Sequence, residues 1–260
     1  MRRFAAFLIA ALLAPGSAAL ADTDTTPPTQ STTYIAGTTD ESLTNDRGYW
    51  NTASVEVLRT FAPRSTFYTA INSQSLYQKT DAQYAAGLYV PVSSRAVLGL
   101  DVSWSPTHQI LAKSDIALSL EQRFGGGWGA IGSLETRAYT SVDANLAALT
   151  IDRYVGPYRF AYRVSSASLS DVPGEALTHD LIVQRWFGDN FVGIDFEGGR
   201  DVENEGTGGS ELLVSGVGGA SAFGRQWLDH NFALDWRLET YRLGKIYTRN
   251  GGSIGVRYRR

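Results

Sequence analysis

The chain has 260 residues, with 23 basic against 26 acidic side chains and no cysteine, which excludes disulfides as its source of stability and argues against a nucleic-acid partner. Without Arg2 and Arg3 the balance is 21 against 26, a net of −5. Of the basic residues 20 are Arg and 3 are Lys, and an always-charged, fork-shaped group suits ion pairs in a confined polar space.

Residues 1–21, MRRFAAFLIAALLAPGSAALA, carry a positive start, an apolar run too short to span a bilayer, and an A-x-A exit before Asp22. A signal peptide is expected, hence an exported protein, and no cysteine at the cleavage point marks a lipoprotein. Residues 22–31, DTDTTPPTQS, read as a periplasmic tether. No later segment has the eighteen or so continuous apolar residues of a membrane helix, so any span must be made of strands.

From residue 32 to 260 the apolar positions recur at i, i+2, i+4. Strands are predicted near 33–39 and 49–61, where Ala53, Val55 and Val57 oppose Thr52, Ser54 and Glu56, then at 66–77 and 84–90. Residues 95–105, RAVLGLDVSWS, alternate without a fault: Leu98, Leu100, Val102 and Trp104 on one face, Gly99, Asp101 and Ser103 on the other. Further strands follow at 114–124, 128–139, 145–155 and from 158, then at 177–187, 191–197, 212–223, 228–238 and 253–259. Ile182 and Trp186 fall among polar positions, and the register of the glycine-rich 212–223 strand is left open.

Tight turns near Pro63, Pro91, Gly126, Gly156, Asp189 and Gly224 alternate with longer polar connections at 39–48, 167–175 and 200–210. This asymmetry predicts an all-β transmembrane antiparallel up-and-down barrel of about fourteen strands, or twelve if the first and the glycine-rich strand fail. Short turns and both termini would be periplasmic. Aromatics bracket the tight turns: Phe61 and Phe67, Phe124 and Trp128, Tyr154 and Tyr158, Phe187 and Phe191, Phe223 and Trp227. They are expected to form an interfacial belt.

Three stretches, YAAGLYVPVSSRAVLGLDVSWSPTH at 84–108, LTIDRYVGPYRFAYRV at 149–164 and NGGSIGVRYR at 250–259, make the chain resemble the YaiO family of outer-membrane β-barrels. The resemblance covers most of the chain beyond the signal and implies an outer-membrane barrel with a loose link to cell-surface polysaccharide systems. It brings no catalytic or ligand-binding residues. Barrels of this kind usually end on an aromatic that the assembly machinery reads; here Arg259 and Arg260 follow Tyr258.

In such a barrel the polar faces line the interior. The expected lining is Asp101, Asp115, Glu121, Arg123, Glu135, Arg137, Asp152, Arg159, Arg163, Asp195, Glu197, Asp235, Arg237, Glu239 and Arg257. Mixed charge in a narrow lumen can steer a small polar or saccharide solute; alternatively the charges pair, fill the barrel, and leave a structural or surface-interaction role. No long segment is left over for a plug or a constricting loop, which keeps a narrow polar channel open. An outer-membrane lipid esterase is a third reading, with His108 beside Ser105 between Asp101 and Asp115. His230 falls on the lipid-facing register and His179 stands isolated. No cofactor or metal site is expected, although the acidic stretch at 201–211 could bind calcium weakly or bridge lipopolysaccharide. The expected partners are outer-membrane lipid, lipopolysaccharide, the barrel-assembly machinery and a small polar or saccharide solute.

Overall fold

The computed structural model describes residues 31–43, 48–76, 79–140, 142–170, 172–204, 212–245 and 247–260. The predicted signal peptide and all but the last residue of the predicted tether lie outside them, as do 205–211 of the acidic stretch. Alternating side chains build fourteen strands: β1 Ser31–Leu43, β2 Gly48–Ala62, β3 Ser65–Leu76, β4 Lys79–Pro91, β5 Ala96–Trp104, β6 Ser114–Arg123 and β7 Trp128–Ala138. They continue as β8 Asp143–Val155, β9 Tyr158–Leu169, β10 Val172–Phe187, β11 Asn190–Asn204, β12 Leu212–Trp227, β13 Phe232–Leu243 and β14 Tyr247–Arg259. Each strand pairs antiparallel with its sequence neighbours, and β1 pairs with β14, so the sheet closes with no free edge.

Because the side-chain period is two, pairing fixes which residues share a face. Leu100 opposes Leu118, which opposes Leu134, and all three are exposed on the outer surface. Ile116, Ile151, Ile194, Ile254 and Val256 extend this apolar surface around the barrel. An isolated soluble barrel would not present so large a greasy exterior to water. At one end, short connections join the strands; we call it the turn end. Towards the other, the loop end, the outward face becomes polar: Thr136 bonds Asn145 at 2.9 Å and Thr240 bonds Asn250 at 2.7 Å.

That polar outer rim corrects two expectations. The polar stretches at 39–48 and 167–175 are not mainly loops, since β1 runs to Leu43, β9 to Leu169, and β10 starts at Val172. They are polar because the strands continue past the apolar band. The turn predicted at Gly224 also moves, because β12 continues to Trp227 and the chain reverses at 228–231. His230 therefore sits in a turn and not on the lipid-facing register. His179 is not isolated either: on β10 its Nδ1 lies 2.6 Å from the Tyr162 hydroxyl.

Three of the ten predicted belt aromatics also face differently. Phe61, Phe67, Phe124, Trp128, Tyr158 and Phe187 are exposed outside, as expected. Tyr154, Phe191 and Phe223 turn inward, each with an arginine from the inner wall over its ring: Arg123, Arg225 and Arg237 respectively.

Candidate functional site

The inner wall is built from the polar face of every strand, and its charges meet by cross-strand neighbourhood. Asp152 on β8, 1 % exposed, holds Arg123 from β6 at 2.9 Å and Arg159 from β9 at 3.0 Å. Arg123 also bonds Glu121 at 2.7 Å, and Arg159 donates to Gln184 Oε1 at 3.0 Å. This chain therefore crosses five strands, from β6 to β10. On the far side Asp235 joins Arg225 at 2.6 Å to Arg257 at 3.2 Å, while Arg237 spans Asp195 at 2.7 Å and Glu239 at 3.0 Å. Glu239 in turn receives Arg249 at 2.8 Å, and Ser221 donates to Asp195 at 2.7 Å.

Nearer the loop end of β6 and β7, Arg137 reaches Asp115 at 3.4 Å and bonds Glu135 directly. Asp101 has no arginine partner among the described residues. Its carboxylate accepts the hydroxyls of Tyr68 at 2.7 Å and Tyr89 at 2.8 Å. Gly99 makes room for this, because a Cβ there would lie 2.6 Å from Tyr89 Cε1. Arg163 is the cross-strand neighbour of Asp180, and Glu197 that of Gly219 on β12, on the same face.

Sequence reading missed Tyr68, Tyr89, Arg225 and Arg249. Tyr68 was available from parity, since Phe67, Thr69 and Ile71 on one face leave it on the other. Arg225 was lost by ending β12 at Phe223, and Arg249 by starting β14 at Ser253.

Two features determine how open this wall is. Long side chains on it keep a wet edge: Arg237 is 29 %, Asp235 26 % and Arg123 24 % exposed. Fourteen strands ~4.8 Å apart and tilted ~40° form a ring ~28 Å across, wider than inward side chains can fill. The second feature narrows it.

Residues 105–113, between β5 and β6, fold inward as a strap instead of pointing away from the barrel. The wholly buried Asp81, on the inner face of β4, accepts the backbone N–H of Ile110 at 2.6 Å and of Leu111 at 2.9 Å. Ile110 packs against a buried cluster of Trp50, Val217 and Leu243, which stand on the inner faces of β2, β12 and β13. Those strands lie at least three positions around the wall from β5 and β6. The guanidinium of Arg249 lies over both Trp50 and Tyr241 beside this cluster. The expectation that no segment serves as a constriction is thus corrected.

The strap also accounts for Ser105 and His108. Ser105, fully buried, donates its hydroxyl to Ala82 O at 2.8 Å and accepts the His108 backbone N–H at 3.2 Å. The His108 ring nitrogen Nδ1 lies 3.1 Å from the carbonyl oxygens of Ser105 and Pro106. The hydroxyl is thus spent on the turn, and the ring is not aimed at it as a base would be.

The family model of the YaiO membrane beta barrel domain matches residues 33–203. No curated protein matches the sequence. Among solved structures the fold is similar to a bacterial polysaccharide outer membrane secretin, with TM-score 0.60 and 13% identity over 88% of this chain and 98% of that one. It is also similar to Omp33 of Acinetobacter baumannii, with TM-score 0.53 and 10% identity over 88% and 99% of the two chains. OmpF of Salmonella typhi, in complex with daunomycin, gives TM-score 0.50 and 8% identity over 88% and 97%. These likenesses are of fold.

Proposed function

The chain belongs to the YaiO membrane β-barrel family and lies in the Gram-negative outer membrane, and we propose that it is a narrow channel for small polar or saccharide solutes. The observation that carries this reading is the wet, mixed-charge wall. Guanidinium and carboxylate groups from β6 to β14 form arcs whose members keep 15–29 % exposure at Arg123, Arg159, Arg225, Arg237 and Arg257, inside a ring too wide for them to fill. Fixed charge facing water in a space of reduced dielectric orders polar solutes without admitting apolar ones. The fifteen charged residues read from the sequence act in this proposal as lining, with Tyr68, Tyr89, Arg225 and Arg249 added to them.

The turn end is placed in the periplasm and the strap at the outer mouth, where it sets the narrowest passage. Lipid and lipopolysaccharide meet the outward apolar band, and the assembly machinery reads the last strand, in which Tyr258 stacks on Tyr34 and lies tilted against Phe232. The proposal includes the link to cell-surface polysaccharide systems that the family resemblance implies. We assign no catalytic role, since Ser105 and His108 support the strap.

The strap also favours the competing reading, a non-conducting barrel with a structural or surface-interaction role: a constriction held at both Asp81 and Ile110 can seal as well as narrow. Conductance across planar bilayers decides between them.

A further inference from the structure

Near the turn end, β10, β11 and β12 present three aromatic rings to a lumen that is otherwise polar. Trp186 and Phe191 are direct cross-strand partners with ring centroids 4.8 Å apart, and Phe223 meets Phe191 edge-on at 6.2 Å. Phe223 lies down on the wall because Gly193 opposite it has no side chain: a Cβ there would be 2.7 Å from Phe223 Cζ. None of the three rings is fully buried. Facing rings into water is costly unless something apolar covers them.

Around the rings stand polar groups of both kinds. Arg225 lies 5.4 Å from the Phe191 centroid and Arg237 5.4 Å from that of Phe223. Arg225 gives its Nε to Asp235, and Arg237 gives Nε and Nη2 to Glu239 and Asp195. The remaining nitrogens of both forks extend the donor set, and Asp195 and Asp235 add acceptors. The Trp186 indole N–H, which normally finds an acceptor, is buried and has no partner among the described residues.

Three adjoining rings, with donors and acceptors in balance at their margin, match one class of ligand. A pyranose has an apolar C–H face that lies on an aromatic ring and an equator of hydroxyls that both donate and accept. A purely cationic margin would select anions; here Arg225 and Arg237 each stand beside a carboxylate, Asp235 and Asp195. We infer that Trp186, Phe191 and Phe223, with Arg225, Arg237, Asp195 and Asp235, form a binding platform for an uncharged pyranose unit of an oligosaccharide at the turn end of the lumen. The assignment rests on the channel reading for the way a saccharide reaches the platform and names its solute class.

The test uses the full folded barrel in detergent and in planar bilayers, with maltohexaose as the uncharged probe and a galacturonate hexamer as the charged one. Calorimetry measures binding in detergent, and added sugar is scored for transient blocks of ion current. Phe191→Leu and Phe223→Leu keep apolar volume and remove the aromatic faces, and heat-modifiable gel migration confirms that each variant folds. The inference predicts maltohexaose binding that weakens about ten-fold in either variant, with ion conductance unchanged. No maltohexaose binding in detergent, binding indifferent to both variants, or tighter binding of the galacturonate hexamer would overturn it. Absence of ion current with sugar binding intact would overturn the channel reading and leave the platform standing.

Discussion

The buried carboxylate of Asp81 accepts the Ile110 amide at 2.6 Å across 29 residues of sequence, and this bond is one of those that tie an inward-folded strap to the barrel wall. A loop between two strands would otherwise extend into solvent, where its backbone is hydrated at no cost. Asp81 replaces that hydration with charge-assisted bonds to two adjacent amides, while Ile110 buries apolar surface against Trp50, Val217 and Leu243.

Asp81→Ala should release the strap. Loss of bonds from an ionised acceptor costs about 2 kcal/mol, so amide exchange at Ile110 and Leu111 should speed up about 30-fold. Protection of the β5 and β6 amides should stay as it was. Hydrogen exchange resolved by residue checks this, and unchanged exchange at Ile110 would show that Asp81 does not hold the strap.

Asp152 is the hinge of the first charged arc, and its removal should be the most damaging single change on the wall. Asp152→Ala leaves Arg123 and Arg159 without their shared buried partner and should cost about 3 kcal/mol. Denaturant unfolding in lipid vesicles measures it. A double-mutant cycle with Arg123→Ala should show coupling, because the second change removes one of the stranded charges.

Outward and inward registers predict opposite responses at adjacent residues. Leu118→Arg places a charge in the apolar band and should cost about 2–4 kcal/mol, whereas Ser119→Arg, one residue along on the inner face, should cost much less. Folding equilibria into vesicles compare the two. Equal penalties would contradict the assigned register.

The turn at 228–231 gives a pH signature outside the membrane. Asp229 accepts the backbone N–H of Phe232 and of Asn231, each at 2.7 Å, and these bonds hold its carboxyl below the ordinary aspartate range. A depressed folded pKa means that the contribution is present above the unfolded value and is lost as pH falls through the folded one. Amide protection at Asn231 and Phe232 should therefore persist at neutral pH and fall in the acid range below the usual aspartate titration. In Asp229→Ala it should be low at every pH.

Strand identity was legible wherever one face met an apolar medium. The outward placing of Leu100, Leu118 and Leu134 follows from alternation alone, and it gives the direction of Asp101. Strand length was not legible, because beyond the apolar band both faces are polar and the alternation that marks a strand disappears, as at 39–42. In β12 the small residues Gly216, Gly218 and Gly219 erased the pattern, and with it the inward placement of Phe223 and Arg225. The strap was illegible for a different reason. Residues 105–113, SPTHQILAK, read as an ordinary loop, and their inward path depends on Asp81 and on a cluster drawn from β2, β12 and β13, which no local pattern encodes.

The channel claim is tested most directly by single-channel recording of the folded protein in planar bilayers. The wet, charged wall and the strap predict discrete, uniform ion-current steps, which grow larger in Asp81→Ala as the constriction loosens. Protein that shows the heat-modifiable migration of a folded barrel yet gives no steps, in either the unaltered form or Asp81→Ala, would contradict the account.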